Sequence, residues 1–156
     1  LGTALNGVLA GLVAITAPCA FVTPGWSIVI GAIGGVVVVY GAILLEKLKI
    51  DDPVSAVPVH LMNGVWGTLA VGIFATEGGV TGLIAGNSAQ ILAQFIGILV
   101  VGGWCLVTGG VLFYGILKGW WGLRVSREEE LKGLDVEEHG AEAYPQDIVG
   151  SLAAAD

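Results

Sequence analysis

From Trp26 to Leu45 the chain runs through twenty consecutive residues without a charge. A helix rises ~1.5 Å per residue, so this run is long enough to cross the ~30 Å hydrocarbon core of a bilayer. Three further apolar runs follow the same logic: Leu5 to Ala17, Pro53 to about Ala75, and Asn87 to Lys118. The valines at 36–39 would suit a buried strand, but the length of the run they sit in argues for a helix. The expected fold class is therefore an all-α membrane protein, with four transmembrane helices over about 2–17, 26–46, 53–75 and 88–118. Charged residues make up only 12% of the chain, against about a quarter in a soluble domain. The 26 glycines are spread through the apolar runs rather than gathered in linkers, as in helices packed backbone to backbone. Gly31 and Gly35 form a small-xxx-small pair on the second run.

Sidedness follows from the cations. All six fall after the second run or after the fourth: Lys47, Lys49, Lys118, Arg124, Arg127 and Lys132. The first and third connections hold none, so the cation-bearing regions are expected on the cytoplasmic face. Composition changes after Trp120-Trp121, giving a membrane region over 1–121 and a polar, acidic tail over 122–156. In the tail, Ser126 with Glu129 three residues later predicts a capping box. That helix should end at Lys132 before Gly133, and a second should start at Asp135. Trp120 and Trp121 suit an interfacial aromatic belt, whereas Trp66 and Trp104 suit core packing. Cys19 and Cys105 have no metal spacing and are expected as buried free thiols. The chain opens without Met inside an apolar segment, which points to the C-terminal piece of something longer.

The third run carries the residues that need explaining. Asp52 is placed as an N-cap and Pro53 at the first helical position. His60 then lies seven residues further, ~10 Å along the helix. An ionisable ring at that depth faces a bundle interior or a conduit and marks function, or it is hydrogen-bonded between helices, with Asn63 and Thr108 as candidate partners. Asn63 lies one turn from His60 on nearly the same face, as a pore-lining group or as helix packing. Asp51 and Asp52 could attract a cation at a pore mouth, or cap the helix. Glu137-Glu138-His139 lacks the spacing of a helical ligand pair. No metal site, cofactor site, nucleophile–base arrangement or phosphate-cradling loop is present in the sequence, and the expectation is not an enzyme and not a nucleic-acid protein.

These residues resemble the ammonium transporter (Amt/MEP/Rh) family. The run Asp51-Asp52-Pro53, Val59-His60 and Asn63-Gly64-Val65-Trp66-Gly67-Thr68 is similar to the family's tenth transmembrane helix. Asn6 to Ala17 followed by Cys19-Ala20 resembles the eighth. Gly122 to Ser126, Glu128-Glu129-Glu130, Gly133-Leu134-Asp135, and His139-Gly140 to Ala143-Tyr144 resemble the cytoplasmic C-terminal region.

The resemblance implies an eleven-helix fold, of which these runs are the eighth to eleventh helices. It implies a homotrimer in the cell membrane whose subunits each conduct ammonia or ammonium through a narrow hydrophobic pore. His60 matches the second of two facing pore histidines; the first belongs to a helix not present here. The tail is implied to regulate through Gly133, Leu134, Asp135, His139 and Tyr144, with a PII-type signalling protein docking nearby at the cytoplasmic face. One position departs: some members carry an acid three residues after the Asp-Asp pair, where this chain has Ser55. The alternative is a non-transporting truncated fragment whose tail serves as a regulatory, PII-binding module.

Overall fold

The structure, a computed structural model, describes residues 2–120 and 122–141. Among them every regular element is helical. Helix α1 is Gly2–Thr16, α2 is Pro24–Lys47, α3 is Val57–Phe74 and α4 is Ala89–Trp120. The tail adds α5, Arg127–Lys132, and α6, Asp135–His139. These match the expected runs. Three of them, α2, α3 and α4, are long and apolar enough to cross a membrane, while α1 is a shorter apolar helix of 15 residues.

Two boundaries differ from expectation. Helix α2 opens at Pro24, because proline at the first helical position gives up an N–H that would have no partner there. Helix α3 opens later than expected, at Val57, and Pro53 lies outside it.

The chain divides into two compact units, one running through Trp104 and the other from Cys105. The first holds a bundle of α1, α2 and α3. Many of its buried residues are small. Helix α1 contributes Ala10 and Ala14, α2 contributes Gly34, Val38 and Gly41, and α3 contributes Gly67 and Ala70. In lipid there is no hydrophobic drive between helices, so association rests on close van der Waals contact, which small residues allow. At Gly67 a Cβ would overlap the Ala14 carbonyl, so two backbones touch there. The closest approaches on α2 are at Gly34 and Gly41, not at Gly31 and Gly35, where an added Cβ would meet nothing within 4 Å. A helical face repeats every three to four residues, and Ile30, Gly34, Val38, Gly41 and Leu45 share the buried one.

Connections fix the antiparallel order. The Phe21 carbonyl accepts the N–H groups of Thr76 at 2.8 Å and Glu77 at 3.0 Å, joining the first and third connections. At the other end Asn6 Nδ2 donates to the Val54 carbonyl at 3.3 Å, tying the start of α1 to the second connection. The two connections that lack Lys and Arg thus lie together. Near them Trp26, Trp66 and Phe74 cluster: Trp26 and Phe74 are tilted with ring centroids 4.7 Å apart, and Trp66 meets Phe74 edge-on at 6.4 Å. Trp66 Nε1 also donates to the Ile30 carbonyl at 3.1 Å, so this tryptophan is a packing residue as expected. Trp104 is not: it is 71% exposed. Cys19 and Cys105 are free thiols, but both are exposed on the chain rather than buried.

In the second unit α4 widens to a π-helix over Val111–Leu117. The predicted capping box is present: Glu129 N–H donates to Ser126 Oγ at 3.2 Å, and Ser126 N–H to Glu129 Oε2 at 2.7 Å. Gly133 ends α5 with φ 92°, a conformation that favours glycine.

Candidate functional site

The site is built at the start of α3, and local bonding explains its shape. Asp52 does cap the helix, but from five residues upstream of Val57. Its Oδ1 accepts the Ala56 N–H at 2.7 Å and its Oδ2 the Val57 N–H at 2.8 Å. The intervening Pro53-Val54-Ser55 forms a turn, closed by Ser55 N–H donating to the Asp52 carbonyl at 3.1 Å. Ser55 takes φ 57°, an uncommon conformation for a residue with a side chain. Asp51 is exposed beside this cap. A cleft lined by Leu45, Glu46, Ile50, Asp51, Asp52 and Ser55 opens at this end of the bundle. Among the described residues no group of three or more His, Cys, Asp or Glu could hold a metal ion.

The first turns of α3, Val57–Met62, are wound as a π-helix. That winding pairs i with i+5 and so fits an extra residue into each turn. Pro58 lies in it and has no N–H to give to the ladder. A proline inside a helix, two residues before His60, invites a local kink, and at Pro58 it takes the form of a widened turn.

The winding decides where the side chains go. His60 is exposed on the bundle surface, whereas Pro58, Val59 and Asn63 are buried. In an ordinary α-helix residues three apart are neighbours on one face. Here His60 and Asn63 are turned apart by the extra residue. His60 also lies nearer the helix start than expected, three residues past Val57. No hydrogen bond of its ring is found among the described residues.

Asn63 is 0% exposed. Its Nδ2 donates to the Pro58 carbonyl at 2.9 Å. Its Oδ1 has no hydrogen-bond partner among the described residues. It abuts Gly34, where an added Cβ would lie 2.9 Å from Oδ1, 3.0 Å from the Ala14 Cβ and 3.2 Å from the Ala10 carbonyl. Asn63 thus stands where α1, α2 and α3 meet, and it packs helices together.

Gly133, Leu134, Asp135 and His139 are all exposed at the junction and end of the short tail helices. Asp135 opens α6 as expected and His139 closes it. Exposed ion pairs flank them, Arg124 with Glu130 at 3.5 Å and Lys132 with Glu128 at 3.3 Å. Tyr144 lies outside the described residues. Sequence reasoning passed over the turn at Ser55, and it placed a kink at Pro58 without its π-winding or the direction this gives the ring. The five-residue spacing from Pro58 to Asn63 was the available signal.

Comparison with known proteins gives one answer. The sequence profile of the Ammonium Transporter Family matches residues 1–144. "Ammonium transporter Amt2" of Archaeoglobus fulgidus is 50% identical over 154 residues, an alignment covering 93% of this chain and 33% of that protein. "Ammonium transporter 1 member 2" of Arabidopsis thaliana is 40% identical, covering 89% of this chain and 29% of that one. Among solved structures, a "Sensor Amt Protein" superposes with a TM-score of 0.76 at 41% identity, covering 88% of this chain and 34% of its own. Mep2 of Candida albicans shares the fold, with a TM-score of 0.71 at 22% identity, over 80% of this chain and 29% of its own. The chain therefore spans about a third of the length of the curated relatives it matches. With a profile match running from the first helix into the tail and relatives named as transporters, this chain belongs to the ammonium transporter family.

Proposed function

We propose that this chain forms the C-terminal part of an ammonium transporter, supplying its eighth to eleventh helices over 1–121 and a cytoplasmic regulatory tail over 122–156. His60 lines the conduction path. The observation that carries this reading is the placement of His60 on the outer surface of a bundle whose interior is already filled. A π-wound turn presents the ring there, and the remaining two thirds of a relative's length supplies ample helix to close a path over it. Such turns recur at functional sites.

The chemistry fits the cargo. A bare cation is costly in an apolar conduit, whereas a neutral amine is cheap to move. A neutral imidazole offers it one donor and one acceptor. Asp51 and Asp52 stand at the inner mouth, Asp52 serving mainly as the cap. The assembly is a homotrimer in the cell membrane, and the tail docks a PII-type protein through the region of Gly133, Leu134, Asp135, His139 and Tyr144. The exposed tail helices, the first of them closed by its own capping box, support a surface that is folded and free to be contacted.

The test is His60→Ala in the intact protein. Ammonium transport, or its selectivity over potassium, is expected to change by about tenfold or more, because the residue is functional rather than structural. Unchanged selective transport in a well-expressed variant would sink the role given to His60.

A further inference from the structure

We propose that Asn63 is the positioning residue for His60: its buried carboxamide holds the wide turn that carries the imidazole out of the bundle. The functional consequence rests on the reading of His60 as a conduction residue; the geometry does not.

Three observations converge. First, the amide is aimed by chemistry. Nδ2 meets the Pro58 carbonyl at 2.9 Å, and the flipped amide would set two acceptors against each other there. The bond runs from residue 58 to residue 63, so it staples the π-wound turn across its own i to i+5 spacing. His60 lies inside the staple.

Second, the other end of the carboxamide is a poor choice for stability alone. Oδ1 is buried without a partner among the described residues. An unpaired buried acceptor is unfavourable, and an apolar side chain of the same shape would avoid it. A leucine would fill a junction lined by Gly34, Ala14 and Ala10 without that penalty. What leucine cannot do is bond the Pro58 carbonyl.

Third, the winding controls direction. If residues 58–63 relaxed to α-winding, His60 would swing toward the face of Asn63. That face is packed against α1 and α2, and the ring would leave the surface it now occupies.

The experiment uses the intact transporter and four variants: His60→Ala, Asn63→Leu, Asn63→Gln and the double variant His60→Ala/Asn63→Leu. Maximal rate, half-saturation and selectivity over potassium are read for each in proteoliposomes. Asn63→Leu is expected to lower the maximal rate about tenfold with little change in half-saturation. Asn63→Gln, which keeps the donor, should recover at least half the parental rate. The double variant should be no worse than His60→Ala alone, because Asn63 acts through His60. A folded Asn63→Leu that transports like the parent overturns the inference, as does a double variant showing the product of both losses. If Asn63→Leu does not accumulate, Asn63→Ala is judged by the same two criteria. A His60→Ala variant with parental transport would instead remove the conduction reading, leaving the staple to be judged by the loss of His60 exposure on Asn63→Leu, read from its ring shifts in NMR.

Discussion

Two helices of this chain begin at an acidic or hydroxyl cap, and they begin differently. Helix α5 starts where local rules put it. Ser126 and Glu129 bond reciprocally, and every partner is within three residues. Helix α3 has an equally good local signal, Asp52 followed by Pro53, yet it starts at Val57. The difference lies in what else each segment must satisfy. The tail helix is exposed and answers only to its own sequence. The start of α3 is also held by Asn6 through the Val54 carbonyl, and by the burial of Pro58 and Val59 against the bundle. Packing there moves the helix start and keeps Asp52 as a cap at longer reach.

The strongest way to break that contrast is to disturb the packing that dominates α3. Gly67→Val should destabilise the protein by ~3 kcal/mol or more, since the new side chain meets backbone that cannot step aside. Gly64→Val on the same helix, where an added Cβ meets nothing within 4 Å, is the control. Thermal unfolding in detergent should show a large loss for the first and a small one for the second. Equal losses would remove the claim that α1 and α3 touch through their backbones.

A smaller effect is expected at the cap itself. Asp52→Ala removes the acceptor of two backbone N–H groups and should cost about 1–2 kcal/mol. Asp51→Ala should fall within ~0.5 kcal/mol, as an exposed substitution away from such features. If the two match in the same unfolding assay, Asp52 is not the cap that its geometry describes.

The smallest effect belongs to the tail. The Ser126 hydroxyl and backbone N–H, bonded to Glu129, hold that carboxyl below its ordinary value. A carboxylate so held stabilises the folded form above its unfolded value, and that contribution fades as the pH falls through the depressed one. Acidification should therefore loosen α5 at a pH below the usual titration of a glutamate, with the bundle unaffected. Carboxyl-carbon NMR of Glu129 should show the low midpoint, and Ser126→Ala should return it toward that of an unstructured peptide. A midpoint that does not move would show the box to be absent in solution.

Most of the architecture was legible because it rests on run length and charge. The uncharged run at 26–45 marks a helix, and the confinement of Lys and Arg to two regions marks which connections lie together, with no knowledge of contacts. The site was legible only in part. His60 declares itself as a ring out of place among apolar residues. Its direction could not be read, because periodic reasoning assumes one winding throughout and the π-wound turn breaks that assumption at Pro58. The glycines failed for a related reason. Gly31 and Gly35 satisfy a spacing rule, while Gly34 and Gly41 share a face with Ile30, Val38 and Leu45, and only the partner helices reveal which face is buried.

The unpaired Oδ1 of Asn63 has a spectroscopic consequence. A side-chain carbonyl that accepts no hydrogen bond keeps more of its double-bond character than one in water. Its infrared stretch should stand on the high-frequency side of the crowded amide band, where isotope labelling of asparagine could isolate it. Among residues 1–156 the other asparagines are Asn6 and Asn87, and both are less buried. The line that disappears on Asn63→Leu would then report, in a native membrane and without an attached probe, whether the three helices around it are closed.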